Sequence, residues 1–228
     1  MKNVILILVI LIFPRLCFSQ SDVFEGEIKY EVTYAGADSD GLNSIGFTGY
    51  HYYFGSSKIR LSLSGGLGMF LNDFIIDRQS GETVMVDDYN ETVYTIDADK
   101  EKDTAVISDK KRVVVKTKTK AKIMGYKCTK YMVSVKTDST EIDYEYWTTT
   151  KIKVNSDANF ELISGLTCPG VEGFPLRIVS STEGVSVTQE VTYLRNDPPE
   201  KAKFEIPSTY VVKDFSESPV MQLANEFE

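Results

Sequence analysis

From Phe24 to Tyr34 the chain alternates in chemistry almost residue by residue. Phe24, Ile28, Tyr30, Val32 and Tyr34 fall on one side, and Glu25, Glu27, Lys29, Glu31 and Thr33 on the other. Successive side chains of a strand point to opposite faces, so this segment is a long strand with one buried and one wet face. Such a strand needs neighbours with the same pattern, and the rest of the chain supplies them. Strands are expected over 50–54, 58–63, 74–77, 83–87, 92–96, 113–123, 126–136, 140–150, 174–181 and 185–194. Most are separated by short turns rich in Gly, Asn, Asp and Ser, which force antiparallel neighbours. Residues 35–46, with two Asp and three Gly, read as a loop, and the charged stretch 97–112 as a surface excursion. One short helix is expected after Ser156 or Asp157, turning Phe160, Ile163 and Leu166 inward and closing at Gly165 or Gly170. Residues 204–210 dock the C-terminal segment, which ends in a short acidic tail. No repeat, linker or shift in composition marks a boundary. The reading is a single mainly β domain of roughly ten antiparallel strands with one or two short helices, its core spanning about residues 24–215.

The first residues have a different character. Lys2 precedes an uninterrupted apolar run over 4–13, and Pro14-Arg15 stops that run well short of the roughly 20 residues a membrane span needs. Cys17-Phe18-Ser19 then places small residues at −3 and −1 of a cut before Gln20. Residues 1–19 read as a cleaved signal peptide, with residues 20–228 as the exported domain. Leu16 before Cys17 is wrong for a lipobox. Lys2 and Arg15 leave with the signal, so 23 basic residues face 33 acidic ones in the mature chain, a net of −10. That balance repels phosphate backbones and disfavours nucleic acid as a partner. No later apolar run is long enough to form a transmembrane segment. Cys128 and Cys168 remain, and an even count in an exported protein permits one disulfide between them; two separately buried thiols are the alternative.

Reaction chemistry is hard to find. His51 is the only histidine and sits in an aromatic strand without a G-x-S-x-G or a cysteine signature to partner it. Gly65-Gly66-Leu67-Gly68 does not open a helix after a strand, so it is a loop and not a phosphate cradle. Asp97, Asp99, Glu101 and Asp103 imitate the start of a calcium loop, but Lys102 and Ser108 stand where that loop needs Gly and Glu. Asp38-Ser39-Asp40-Gly41 is no better. The row Lys116, Lys118, Lys120 and Lys122 fits the exposed face of an edge strand, where lysines discourage edge-to-edge pairing, better than an anion-binding surface. No metal, cofactor or catalytic residue is assigned.

Several segments, in order, resemble an exported bacterial family, the domain of unknown function numbered 4412. Ile123-Met124-Gly125-Tyr126-Lys127-Cys128-Thr129-Lys130-Tyr131 is similar to its I-x-G-Y-x-C-x-x-Y signature. Ile75-Ile76-Asp77 with Gly81 and Tyr94, Tyr146-Trp147-Thr148, Gly173-Phe174-Pro175-Leu176, and Phe204-Glu205-Ile206-Pro207-Ser208-Thr209-Tyr210 follow the same family pattern. The resemblance implies a fold like that of the lipoprotein carriers LolA and LolB, a curved antiparallel sheet forming an unclosed barrel plugged by short helices. It further implies a Gram-negative exported protein, periplasmic or secreted, and it brings no catalytic residues.

Two functions follow as expectations. One is a non-enzymatic binding or carrier protein holding a lipid or acyl chain on the concave face, lined by Tyr30, Val32, Tyr34, Tyr52, Phe54, Leu61, Leu63, Met85, Tyr94 and Met132. Tyrosine rings suit such a lining because they pack on acyl chains while their hydroxyls reach a wet rim. The other is an envelope module that meets another envelope protein and whose concave face is simply filled core.

Overall fold

A computed structural model describes residues 23–36, 39–66, 72–97, 111–136, 141–155, 160–161, 164–182 and 184–226. The expected signal segment, the acidic run 98–110 and the capping positions Ser156 and Asp157 lie outside them, as does Ile163.

Twelve strands form one sheet: β1 (Gly26–Gly36), β2 (Phe47–Phe54), β3 (Lys58–Gly65), β4 (Asp73–Asp77), β5 (Thr83–Asp87), β6 (Thr92–Ile96), β7 (Lys111–Ile123), β8 (Tyr126–Lys136), β9 (Glu141–Thr149), β10 (Phe174–Thr182), β11 (Val185–Arg195) and β12 (Val211–Asp214). Their order is β12-β6-β5-β4-β3-β2-β1-β11-β10-β9-β8-β7. Two antiparallel meanders therefore join through β1 and β11, and the sheet curves without closing. Register shifts at Lys29/Tyr30, Phe47/Gly49, Pro175/Arg177 and Lys116/Lys120 mark bulges, which bend strands and tighten their twist.

The alternation of β1 sets the inner face. Ile28 stands opposite Leu194 on one side and Tyr52 on the other, and the same row continues through Leu61, Phe74, Met85 and Tyr94. Of these, Ile28, Tyr52, Leu61, Met85 and Tyr94 are buried. Each such burial stabilises by about 1.5–3 kcal/mol relative to exposure.

Three features depart from the expectations. Residues 39–45 form a short helix (Ser39–Ile45) of about two turns with no buried residue, where a loop was expected. β12 runs parallel to β6, so the sheet is not wholly antiparallel; the second helix (Pro219–Glu226) that follows it agrees with the one or two short helices expected. A second cluster also lies on the outer face: Ile75, Val84, Val86 and Val93, covered by Ile206 and Tyr210 of the C-terminal segment. Tyr210 donates its hydroxyl hydrogen bond to Asp88 (3.0 Å), and Arg60 pairs with Asp73 and donates to the Lys203 carbonyl (2.8 Å). The central β5 strand is consequently buried on both sides.

The expected disulfide is not formed in this structure, where Cys128 and Cys168 are both free cysteines. Each packs against the main core on its own terms, the Cys128 sulfur 3.7 Å from the Tyr126 carbonyl and Cys168 hydrogen-bonded with Tyr146. Burial pushes both thiols above the usual cysteine range, so both are poor thiolates at neutral pH. Alkylation of denatured, unreduced protein followed by peptide mass mapping is expected to label both residues. A disulfide-linked peptide pair would show instead that the bridge forms.

Candidate functional site

The inner face is partly roofed by the segment that carries Phe160, Ser164 and Leu166. Phe160 and Leu166 are buried, and the Phe160 ring lies edge-on to Tyr52 (6.3 Å between centroids) and Phe54 (6.0 Å). Edge-to-face pairs of this kind add about 0.5–1.5 kcal/mol to the area they bury. Tyr52 donates its hydroxyl to the Ser164 carbonyl (3.0 Å), and Tyr30 donates to the Pro175 carbonyl. Both phenols sit in apolar surroundings that push their ionisation well above the usual tyrosine range, so they act only as neutral donors. Two residues before Pro175, Gly173 has a φ of +88°, and a Cβ built there would lie 2.7 Å from the Thr149 carbonyl oxygen, so the position has room for glycine alone.

Beyond that roof the face opens. Tyr50, Leu63 and Phe74 point inward yet are only half-buried. With Tyr52, Leu61, Ser164, Gly165 and Gln189 they line a trough of about 400 Å³. The apolar floor comes from β2, β3 and β4, whose inward residues stand opposite one another: Tyr50 faces Leu63, and Leu61 lies between Tyr52 and Phe74. Gln189, opposite Val32 and Ile178, contributes the amide at the edge. A wider cleft of about 650 Å³ lies on the other side of the roof, between Ile152, Phe160, Leu166, Cys168 and Phe174. The trough is the better candidate, because a strand floor positions its lining more firmly than the loop residues that frame the wider cleft.

The residues singled out from the sequence divide accordingly. Tyr52, Leu61 and Leu63 line the trough. Tyr30, Val32, Phe54, Met85 and Tyr94 share its face but are sealed in the core, and Tyr34 is half-buried, donating to the Phe47 carbonyl (3.1 Å). Met132 is a correction. Buried Tyr131 and Val133 flank it, so strand alternation turns it to the outer face, between Val115 and Glu145. Tyr50 and Phe74 were missed although both follow the alternation. Gln189 carries no signal until the register is known.

His51 lies on the outer face, its ring tilted 35° against that of Tyr53 (4.0 Å between centroids) and its Nε2 3.2 Å from the Glu27 carboxylate. Burial, together with the Lys29 and Lys203 charges, outweighs that carboxylate and pushes the imidazole down to about 4. No hydroxyl or thiol hydrogen-bonds to it among the described residues, so it is not poised as the base of a nucleophile. With one histidine in the chain, an NMR titration is unambiguous: its ring resonances are expected to move near pH 4, not near 6.5. Between those values the unfolded chain takes up a proton that the fold refuses. Stability is therefore full above about pH 6.5 and falls on acidification, on the order of 1 kcal/mol at pH 5 after solvent screening. A titration midpoint near 6.5 would contradict this.

No group of three or more potential metal ligands occurs among the described residues, and none of their helices is long and apolar enough to cross a membrane. Fold and trough together define an open β half-barrel with an apolar inner face. The chain belongs to the family described as domain of unknown function DUF4412, whose model matches residues 24–210. No curated protein matches it.

Proposed function

We propose that this chain is an exported, non-enzymatic binding protein of the LolA/LolB-like type. It holds one acyl chain in the trough between β2–β4 and the Ser164-Gly165 edge. The observation that carries the reading is the partial exposure of Tyr50, Leu63 and Phe74 on a face whose neighbouring residues are sealed. Apolar surface left in water costs about 25 cal/mol per Å², and an acyl chain laid along this row removes that cost. The phenol of Tyr50 and the amide of Gln189 are suited to a polar head at the rim. The apolar run over 4–13 and the Cys17-Phe18-Ser19 cut support export to the periplasm or beyond, where the protein would meet lipids of a Gram-negative envelope. Titration of delipidated protein with a fluorescent fatty acid tests the reading. Saturable binding displaced by unlabelled fatty acid is expected, and absence of binding would overturn it.

A second reading has its own support. Tyr30, Tyr52, Phe54, Phe160 and Leu166 are packed with their polar atoms satisfied, as in a core that needs no ligand. On that reading the protein is an envelope interaction module, and the same titration finds no saturable site.

A further inference from the structure

The tip of the β7–β8 hairpin combines two features that the fold itself does not require. The turn Ile123-Met124-Gly125-Tyr126 has both central residues in the left-handed region, Met124 at φ +47° and Gly125 at φ +84°. That is the backbone of a tight hairpin turn in which Asn, Asp or Gly normally takes the first central position. Methionine there is locally unfavourable, and it brings a large apolar side chain that is 45% exposed.

The second feature is charge. Lys122 and Lys127 stand directly opposite each other across the two strands, and Lys120 follows on the same face opposite Thr129. All three are exposed, as is Lys118. Like charges facing one another across strands are destabilising. Among the described residues no carboxylate lies within ion-pair distance of any of the four, although Lys116, Lys130 and Lys136 on the same two strands each have a glutamate. Lys120 only donates to the Thr129 hydroxyl (3.3 Å). This basic patch belongs to a chain with a net charge of −8. Edge protection accounts for lysines on β7, which is an edge strand. It does not account for Lys127, which lies on the interior strand β8, or for the bare methionine between the lysines.

We infer that the β7–β8 tip docks the protein on an anionic bilayer surface, with Met124 entering the headgroup layer and Lys120, Lys122 and Lys127 meeting lipid phosphates. The charges complement the surface, and an apolar tip inside a basic collar suits the boundary between headgroups and acyl chains. The inference is independent of any ligand in the trough.

Co-sedimentation of the mature protein with phosphatidylcholine vesicles, with and without phosphatidylglycerol, tests it. Binding is expected only with phosphatidylglycerol and is expected to fall as salt rises. The triple variant K120Q/K122Q/K127Q should bind about a hundredfold more weakly, at about fivefold per lysine. Met124→Gln should weaken binding about tenfold at unchanged charge. All four positions are exposed, and the triple variant relieves the Lys122–Lys127 repulsion, so no variant should unfold at a lower temperature than the parent protein. Failure to bind phosphatidylglycerol vesicles, equal binding to neutral ones, or a triple variant that binds like the parent would each overturn the docking role. Unchanged binding by Met124→Gln would overturn the insertion of the tip.

Discussion

Replacing Phe160 with alanine is expected to lower the unfolding free energy by about 3–5 kcal/mol, the range for a large aromatic removed from a packed core. Phe160 is 1% exposed and packs edge-on to Tyr52 and Phe54, so its removal takes a large ring out of the core between them. The substitution also thins the roof between the trough and the wider cleft. The urea midpoint is expected to drop with an unchanged slope, since the surface exposed on unfolding hardly changes. A loss below about 1 kcal/mol would mean that the roof segment is an ornament on the sheet and not part of its core.

The second large effect concerns binding. Leu63→Asp places a carboxylate on the trough floor opposite Tyr50. Fatty-acid affinity is expected to fall about a hundredfold or more, because an apolar contact worth about 1.5–3 kcal/mol is lost and a charge must be stripped of water beneath the chain. Leu63 is only half-buried, so the fold itself should lose much less. Parent-like affinity in a folded Leu63→Asp protein would place the ligand elsewhere, the wider cleft beside Cys168 being the alternative position. The two variants separate the roles on one face: Phe160 is expected to act through stability and Leu63 through affinity.

The strands were legible because their side chains alternate. Phe24 to Tyr34 reads as β1 to within two residues at each end, and the turn signals before and after 83–87 bound β5 where it occurs. The outer cluster was harder to see. Thr83-Val84-Met85-Val86-Asp87 is buried at every position, and a short apolar run of this kind is the mark of a strand covered on both faces. What covers it, Ile206 and Tyr210, arrives more than a hundred residues later and cannot be placed by period. The parallel strand β12 was missed for the same reason: all four of its residues are exposed, so burial leaves no trace in their pattern. Met132 shows the cost of judging by residue type instead of by phase. It is large and apolar, but its neighbours Tyr131 and Val133 own the inner face. The trough was half legible. Tyr52, Leu61 and Leu63 follow from alternation, whereas Gln189 and the Ser164-Gly165 edge depend on register and on a roof whose position only the fold defines.

The central claim is that an acyl chain lies along Tyr50, Leu63 and Phe74. Crystals of delipidated protein grown with a brominated fatty acid test it most directly, because the anomalous signal of bromine locates the chain without reference to side-chain density. Bromine between Leu63 and Phe74, with the carboxylate toward Gln189, is the expected result. A trough closed by its own side chains, with bromine absent or elsewhere, would contradict it.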